Sequence, residues 1–198
     1  VEGNEAADAG GIAVAQDSVA ALESVDLRDN AAELAGGGAW IHETGTLTAI
    51  GGTVEGNLAY TGAGLYVEGS ADLTDVSLVD NDADGKGGGV MVLEGALTLT
   101  GGEVRANEGL LGGGISLEFG DADISEVTLT DNLAYHGGGS YLTSDSHATM
   151  SAVVFAGNTS ITEGGGLYLT ASPTMRAEEC SFSGNAPDGF YRVGIGSV

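Results

Sequence analysis

The chain has 198 residues, of which 29 are acidic and five are basic, so its formal net charge is −24 at neutral pH. This charge argues against nucleic acids, anionic lipids and polyanionic substrates as partners, and it is typical of proteins that work in high salt or meet divalent cations. No apolar run of about 18 residues is present, so the sequence predicts no membrane-spanning helix. Because the chain starts with Val1 rather than Met, we expect it to be processed or excised from a longer one.

One short unit recurs along the whole chain. An apolar residue followed three positions later by Asn occurs eight times, at intervals of 24 to 27 residues, and a glycine cluster closes seven or eight residues after each of the first seven asparagines. The asparagines are Asn4, Asn30, Asn57, Asn81, Asn107, Asn132, Asn158 and Asn185. A fixed period of this length indicates a solenoid, in which each unit buries its apolar face against the next one.

The pattern inside each unit predicts β-strands. In the third unit, for example, apolar residues alternate at Leu65 and Val67, recur at Leu73, and alternate again at Val76 and Leu78. Period-2 alternation of this kind favours three short strands per unit, and no stretch has the 3.6-residue period of a helix. The sequence therefore predicts an all-β protein, a right-handed parallel β-helix of about seven coils with ~26 residues each.

We expect a single domain over residues 1–198. Its repeats are placed at residues 4–29, 30–56, 57–80, 81–106, 107–131, 132–157 and 158–184, with a partial coil over 185–198. Within that partial coil, residues 189–193 resemble another first strand, and residues 194–198 would continue the coil.

The Asn and Gly positions that recur in each unit have structural explanations. Asn at one corner of every coil can form a ladder in which each side-chain amide bonds to its neighbours in the coils above and below. Asn also tolerates the left-handed backbone that a sharp corner requires, and the glycines supply positive φ where the chain bends back into the first strand. No Gly-Lys-Ser or Gly-Lys-Thr sequence accompanies the glycines, so they do not indicate a phosphate site.

The outward residue of the first strand is aromatic or large in most units. In register these residues would form an assembly stripe along one face of the rod, consisting of Trp40, Tyr66, Met91, Tyr141, Tyr168 and Tyr191. One interpretation is that stacked rings stabilise the solenoid. The other is an apolar surface that meets a partner, either a second copy of the chain or a sugar.

Clustered carboxylates are the only candidates for site chemistry. Asp80, Asp82 and Asp84 are close together in one unit, and Asp121 and Asp123 form a pair in another. They are interpreted as solvated turn residues, although Asp80, Asp82 and Asp84 could offer hard oxygen ligands to calcium, and paired carboxylates could hydrolyse a glycosidic bond. Apart from this possible calcium the sequence predicts no cofactor, and we expect no catalysis.

Two signatures resemble a known repeat. Gly165-Gly166-Leu167-Tyr168-Leu169 and Phe182-Ser183-Gly184-Asn185 are similar to the repeats of chlamydial polymorphic outer-membrane proteins and of other bacterial surface proteins with Pmp-like right-handed β-helices. The resemblance extends from Val1 to about Val193. It implies secretion, display at the cell surface, and a structural or adhesive role.

From these observations we expect a non-enzymatic extracellular or cell-surface structural protein. Its open solenoid ends would pair head to tail with other copies of the chain and so form a fibre or a surface layer. The alternatives are a monomeric adhesin or carbohydrate-binding module, whose partners would be surface glycans or other cell-surface proteins, and a polysaccharide-degrading β-helix enzyme.

Overall fold

A computed structural model describes residues 1–143, 145–170 and 172–193. Those residues form 29 short strands, β1 to β29, and contain no helix. No segment of the described chain is therefore a helix that could cross a membrane. The strands form four sheets, and each strand pairs in parallel with the equivalent strand of the next coil. The predicted parallel β-helix of about seven coils is confirmed, whereas its right-handed sense stays a prediction.

Sheet I contains the strand that follows each glycine cluster. Its strands are β2 (Ile12–Val14), β6 (Ala39–Ile41), β10 (Leu65–Val67), β14 (Val90–Leu93), β18 (Ile115–Glu118), β22 (Ser140–Leu142), β26 (Leu167–Leu169) and β29 (Phe190–Arg192). The predicted first strand in residues 189–193 is thus present as β29, which pairs with β26. Residues 194–198, which were predicted to continue the partial coil, lie outside the described residues.

Sheet II has the longest and most regular strands. They are β3 (Val19–Glu23), β7 (Thr46–Ile50), β11 (Ser70–Thr74), β15 (Ala96–Thr100), β19 (Asp121–Ser125), β23 (His147–Ser151) and β27 (Thr174–Glu178). Sheet III follows it in each coil with β4 (Leu27–Arg28), β8 (Thr53–Glu55), β12 (Ser77–Val79), β16 (Glu103–Arg105), β20 (Thr128–Thr130), β24 (Val154–Ala156) and β28 (Ser181–Ser183).

Sheet IV corrects the prediction of three strands per coil. It starts directly after each Asn and contains β1 (Glu5–Ala6), β5 (Ala31–Ala32), β9 (Leu58–Ala59), β13 (Asp82–Lys86), β17 (Glu108–Leu111), β21 (Leu133–His136) and β25 (Thr159–Ser160). Its inward side chains are Ala, Gly or Ser, such as Ala83 and Ala134. A small inward residue produces no apolar alternation, which is why the sequence pattern missed this strand.

The main core lies between sheets I, II and III. Leu99 of sheet II, Leu129 of sheet III and Leu117 of sheet I are among its fully buried side chains. Ala32, Ala59 and Ala83 of sheet IV form a small cluster with Ala63, which lies between sheets IV and I. Because burial free energy grows with apolar area, sheets I to III supply most of the hydrophobic stabilisation and sheet IV supplies little.

The predicted Asn ladder is present between sheets III and IV. Each Asn side chain donates from Nδ2 to Oδ1 of the Asn in the next coil, over seven hydrogen bonds of 2.8 to 3.0 Å from Asn4 to Asn185. Asn107 Nδ2 also donates to the Leu78 carbonyl at 2.9 Å, and Asn107 Oδ1 accepts from the backbone N of Asn81. The six inner asparagines are fully buried, so these bonds satisfy amides that water cannot reach.

The left-handed backbone at this corner belongs to the residue before the Asn, and not to the Asn as predicted. Asp80 has a φ of 51°, Ala106 of 55° and Asp131 of 56°. None of the eight repeated asparagines has a positive φ. The residue before the Asn is Gly, Asp or Ala in the different coils.

The glycine clusters serve two purposes, of which only one was predicted. The first Gly of a cluster, such as Gly36 with a φ of 68°, provides the left-handed turn. The last Gly is required by close approach of the coils, because a Cβ on Gly38 would lie 2.5 Å from the Gly64 carbonyl oxygen. The clusters thus let sheet I begin immediately beside the end of sheet IV.

Candidate functional site

The assembly stripe is aligned as the sequence predicts. The register of sheet I places Trp40, Tyr66 and Met91 in one row, continuing through Ser116 to Tyr141, Tyr168 and Tyr191. Tyr168 stacks on Tyr141 and Tyr191 with centroid separations of 5.1 and 5.2 Å. At the other end, Trp40 and Tyr66 do not stack but meet edge to face, at 5.3 Å and 86°.

The middle of the stripe is not accessible, which corrects the expectation of a continuous outer surface. Tyr66 is 8% exposed and Met91 only 2%. The ends of the sheet IV strands fold over them and leave a corner groove of about 340 Å³, which is lined by Tyr60, Thr61, Lys86, Leu110, Leu111, Tyr66, Met91, Leu93 and Glu118. Tyr66 and Met91 are covered because the fourth strand, which the sequence pattern did not predict, forms a corner with sheet I.

Polar groups in this corner are paired. Trp40 Nε1 donates to Glu68 Oε2 at 2.8 Å, and the Tyr66 hydroxyl lies 3.4 Å from the other oxygen of the same carboxylate. Burial raises the pKa of Tyr66 far above its usual value, and the neighbouring Glu68 charge raises it further. Lys86 Nζ donates to Glu118 Oε2 at 2.5 Å. The Lys86–Glu118 pair thus links sheet IV to sheet I, and the Glu68 carboxylate links neighbouring strands of sheet I.

Two histidines also lie beside the stripe. The His42 ring stacks on Trp40 at 4.4 Å, and the His136 ring lies 5.0 Å from that of Tyr168. Burial raises the pKa of Tyr141 and of Tyr168 above the usual value. These contacts favour the interpretation that the stripe stabilises the solenoid.

The outer side of sheet IV is a different kind of surface. Among the described residues, six of the fourteen exposed large apolar side chains lie on or directly after its strands: Leu58, Tyr60, Leu110, Leu133, Tyr135 and Ile161. Three exposed carboxylates, of Asp82, Asp84 and Glu108, lie in the next two strands after β9, and Glu108 shares β17 with Leu110. We call these nine residues the sheet IV face.

The sequence produces this face by reversing the usual pattern of a half-buried strand. In Leu58-Ala59-Tyr60 and Leu133-Ala134-Tyr135 the small residue points inward and the two large ones point to solvent. Burial of Ala134 leaves Leu133 37% and Tyr135 43% exposed. A large apolar residue on each side of Ala or Gly, directly after the repeated Asn, was therefore the available signal. Inward apolar periodicity does not reveal this strand, because its inward residue is small.

The sheet IV face is concave at its centre. An open depression of about 250 Å³ is lined by Asp82, Ala83, Asp84, Glu108, Gly109, Leu110, Leu133, Ala134, Tyr135 and Ile161. Leu110 borders both this depression and the corner groove, so the apolar surface is continuous from one to the other. Accessible apolar surface of this kind, beside fixed charges, is typical of sites that contact other molecules.

The candidate calcium ligands are separated by this geometry. Asp82 and Asp84 are exposed on the outer side of β13, whereas Asp80 lies at the corner before the buried Asn81. Within residues 1–143, 145–170 and 172–193, no group of three or more His, Cys, Asp or Glu side chains is placed to hold a metal ion. The structure brings Asp82 and Asp84 together with apolar side chains instead.

No protein-family model, curated protein or solved structure matches the chain significantly.

Proposed function

We propose that the chain is a non-enzymatic extracellular binding and structural module, in which the solenoid is a stiff support and the sheet IV face is the contact surface. The observation that carries the proposal is the reversed pattern of sheet IV, with alanines buried and Leu, Tyr and Ile side chains exposed. A single exposed apolar side chain needs no explanation, but six of them on one sheet support contact with another molecule.

Regular coils and short corners support a binding role over catalysis. Consecutive asparagines are only 24 to 27 residues apart, so the described surface is built from strands and tight corners, and a flat or shallow face suits another macromolecule. The Pmp-like repeats and the net charge of −24 support an extracellular location as part of the same proposal.

End-to-end assembly is a second candidate, favoured by the last described coil. Phe182 stacks on Phe155 at 4.7 Å but is 39% exposed, whereas Phe155 is fully buried. A further coil, from the same chain or from another copy, would cover Phe182. Light scattering and electron microscopy in molar salt with calcium test this candidate: filaments that Phe182→Ser abolishes would support it, and a monomer at high protein concentration would contradict it.

The test of the proposed function compares the chain with a variant of the sheet IV face on a panel of immobilised glycans and purified cell-surface proteins. The variant carries Leu110→Thr, Tyr135→Thr and Ile161→Thr. Its matched control carries Thr48→Ser, Thr98→Ser and Thr149→Ser on the outer side of sheet II. We expect binding to at least one panel member that the first variant loses and the control keeps.

Two results would overturn the proposal. One is binding to the panel that the sheet IV variant leaves unchanged. The other is release of product from a polysaccharide in the panel that is lost on Asp82→Asn, which would promote the enzyme alternative.

A further inference from the structure

We propose that the sheet IV face binds a basic, amphipathic segment of a protein partner. This inference rests on the proposed function and adds the chemistry of the partner. Both parts of the chemistry are present on the face: aliphatic and aromatic side chains that need apolar contact, and three carboxylates among them that need positive charge.

The positions of the charges are the first argument. The register pairs Asp82 with Leu58 on one side and with Glu108 on the other, and Glu108 with Leu133. Asp82 and Glu108 therefore lie between Leu58 and Leu133 along the solenoid axis. A partner that covers the apolar side chains must also cover these charges, and it needs Lys or Arg at the matching positions to offset their desolvation.

The described residues place no Lys or Arg against these carboxylates. Within the described strands of sheet IV the only Lys or Arg is Lys86, and its ammonium group is engaged by Glu118 in the corner groove. None of the seven salt bridges of the described residues includes Asp82, Asp84 or Glu108, and all three are exposed to solvent. The local field is negative and favours association with a cationic segment.

Charge also favours a basic partner over a second copy of the chain. Two copies that met through this face would bring the same carboxylates together, each copy having a net charge of −24. Four of the six apolar side chains, those of Leu58, Leu110, Leu133 and Ile161, are aliphatic. They offer no ring face for a sugar to stack on, so they fit the side chains of a peptide better than a glycan.

The spacing along the solenoid suits an elongated segment. Leu110, Tyr135 and Ile161 succeed one another along the axis, one per coil, at roughly 4.8 Å per step. Tyr60 and Asp84 extend this row past the irregularity at which the register between β13 and β17 shifts, between Ala83 and Lys86. A helix lying along this row would present a side chain about every 5.4 Å, which is close to one contact per coil. Asp84 is the one acidic residue of this row, and the other four residues are apolar.

The chain contains its own control for general electrostatic attraction. Asp82-Ala83-Asp84 in sheet IV and Asp121-Ala122-Asp123 in sheet II have the same sequence and the same exposed–buried–exposed pattern. In register, Asp123 lies between Thr98 and Thr149, and His147 Nδ1 lies 3.4 Å from an oxygen of Asp121. Only the Asp82/Asp84 pair has large apolar neighbours.

The experiment measures binding of three labelled 18-residue peptides by fluorescence anisotropy at physiological salt. One contains Leu and Lys in an amphipathic pattern, the second has Glu in place of Lys, and the third has Ser in place of Leu. We expect the Leu/Lys peptide to bind best. Asp82→Asn with Asp84→Asn should weaken its binding by about two- to tenfold, and Asp121→Asn with Asp123→Asn by less than about twofold.

Leu110→Thr with Ile161→Thr should weaken binding of the Leu/Lys peptide while leaving the weaker Ser/Lys interaction unchanged. Equal losses for the two Asp pairs would reduce the effect to the overall charge and overturn the inference. So would equal binding of the Leu/Glu peptide, or the absence of binding by the Leu/Lys peptide. If the glycan and protein panel still shows binding through the sheet IV face in those cases, the proposed function stands and only the partner chemistry is wrong.

Discussion

Sheets II and IV contain the same three residues, Asp-Ala-Asp, and use them for different purposes. In sheet II, Ala122 is followed inward by Ile124, and the neighbouring strand buries Leu97 and Leu99. In sheet IV, the residues inward of the strands are Ala, Gly and Ser, and the large apolar side chains point to solvent. Sheet II therefore stabilises the rod, and sheet IV presents a surface.

The difference shows that one solenoid can have core packing in some sheets and an exposed apolar surface on another. Every coil passes through all four sheets. The core formed by sheets I to III therefore fixes the position of each sheet IV strand along the solenoid axis. The Asn ladder attaches the start of each sheet IV strand to its neighbours. The outer residues of sheet IV can then vary without loss of the core.

The strongest test of this difference between sheets II and IV is to remove apolar volume from each of the two sheets. Leu99→Ala should lower the free energy of unfolding by about 2–5 kcal/mol, because Leu99 is fully buried in the main core. Ala83→Gly in sheet IV should cost only about 0.5–1 kcal/mol. Urea denaturation measures both values. A similar cost for the two changes would mean that sheet IV contributes as much to the core as sheet II.

The ladder should be the main support of sheet IV. Asn107→Ala should lower the free energy of unfolding by about 1–3 kcal/mol, because it removes the acceptor of the buried Asn81 amide and one donor to the Leu78 carbonyl. Asn4→Ala is the matched control, since Asn4 is exposed and has a neighbour on only one side. Thermal and urea unfolding should show a clear loss for Asn107→Ala only; equal stability of both variants would refute a supporting ladder.

The corner between sheets I and IV can be probed by pH. The pKa of Tyr66 is raised in the folded state, so the unfolded state loses this proton first as the pH rises above the ordinary value of 10.0. The stability that a neutral Tyr66 contributes is complete below pH 10.0 and declines above it. Urea unfolding at pH 9 and 11.5 should show a smaller decline for Tyr66→Phe than for the unchanged chain. An identical decline would indicate that Tyr66 is accessible to water.

The smallest expected effect on stability concerns the sheet IV face itself. Leu110→Thr with Ile161→Thr should change the free energy of unfolding by less than about 0.5 kcal/mol, because both side chains are exposed and Thr is compatible with a strand. The fluorescence of a bound apolar dye should nevertheless fall. Unchanged dye fluorescence would show that the face is not the main accessible apolar surface.

Part of the candidate site was predictable from the sequence. The alignment of Tyr141, Tyr168 and Tyr191 followed from the period alone, because residues at equivalent positions of a parallel β-helix must lie in one row. The burial of Tyr66 and Met91 was not predictable, because it depends on the angle at which sheet IV meets sheet I. Neither Asp82 nor Leu110 was recognised as part of an apolar face, since the small inward residue of sheet IV leaves no apolar alternation to mark the strand.

By itself the sequence determined the repeat, the parallel stacking, the Asn ladder and the absence of helix in the described chain, because each depends on residue types that recur at a constant interval. Only the tertiary structure decided that each coil has four strands, that the aromatic stripe is partly covered, and that the exposed apolar side chains gather on sheet IV. The physical reason is that a period specifies which residues are neighbours between coils. The direction in which a short strand faces depends on the corners before and after it, which involve left-handed backbone at residues as different as Asp80, Ala106 and Gly36.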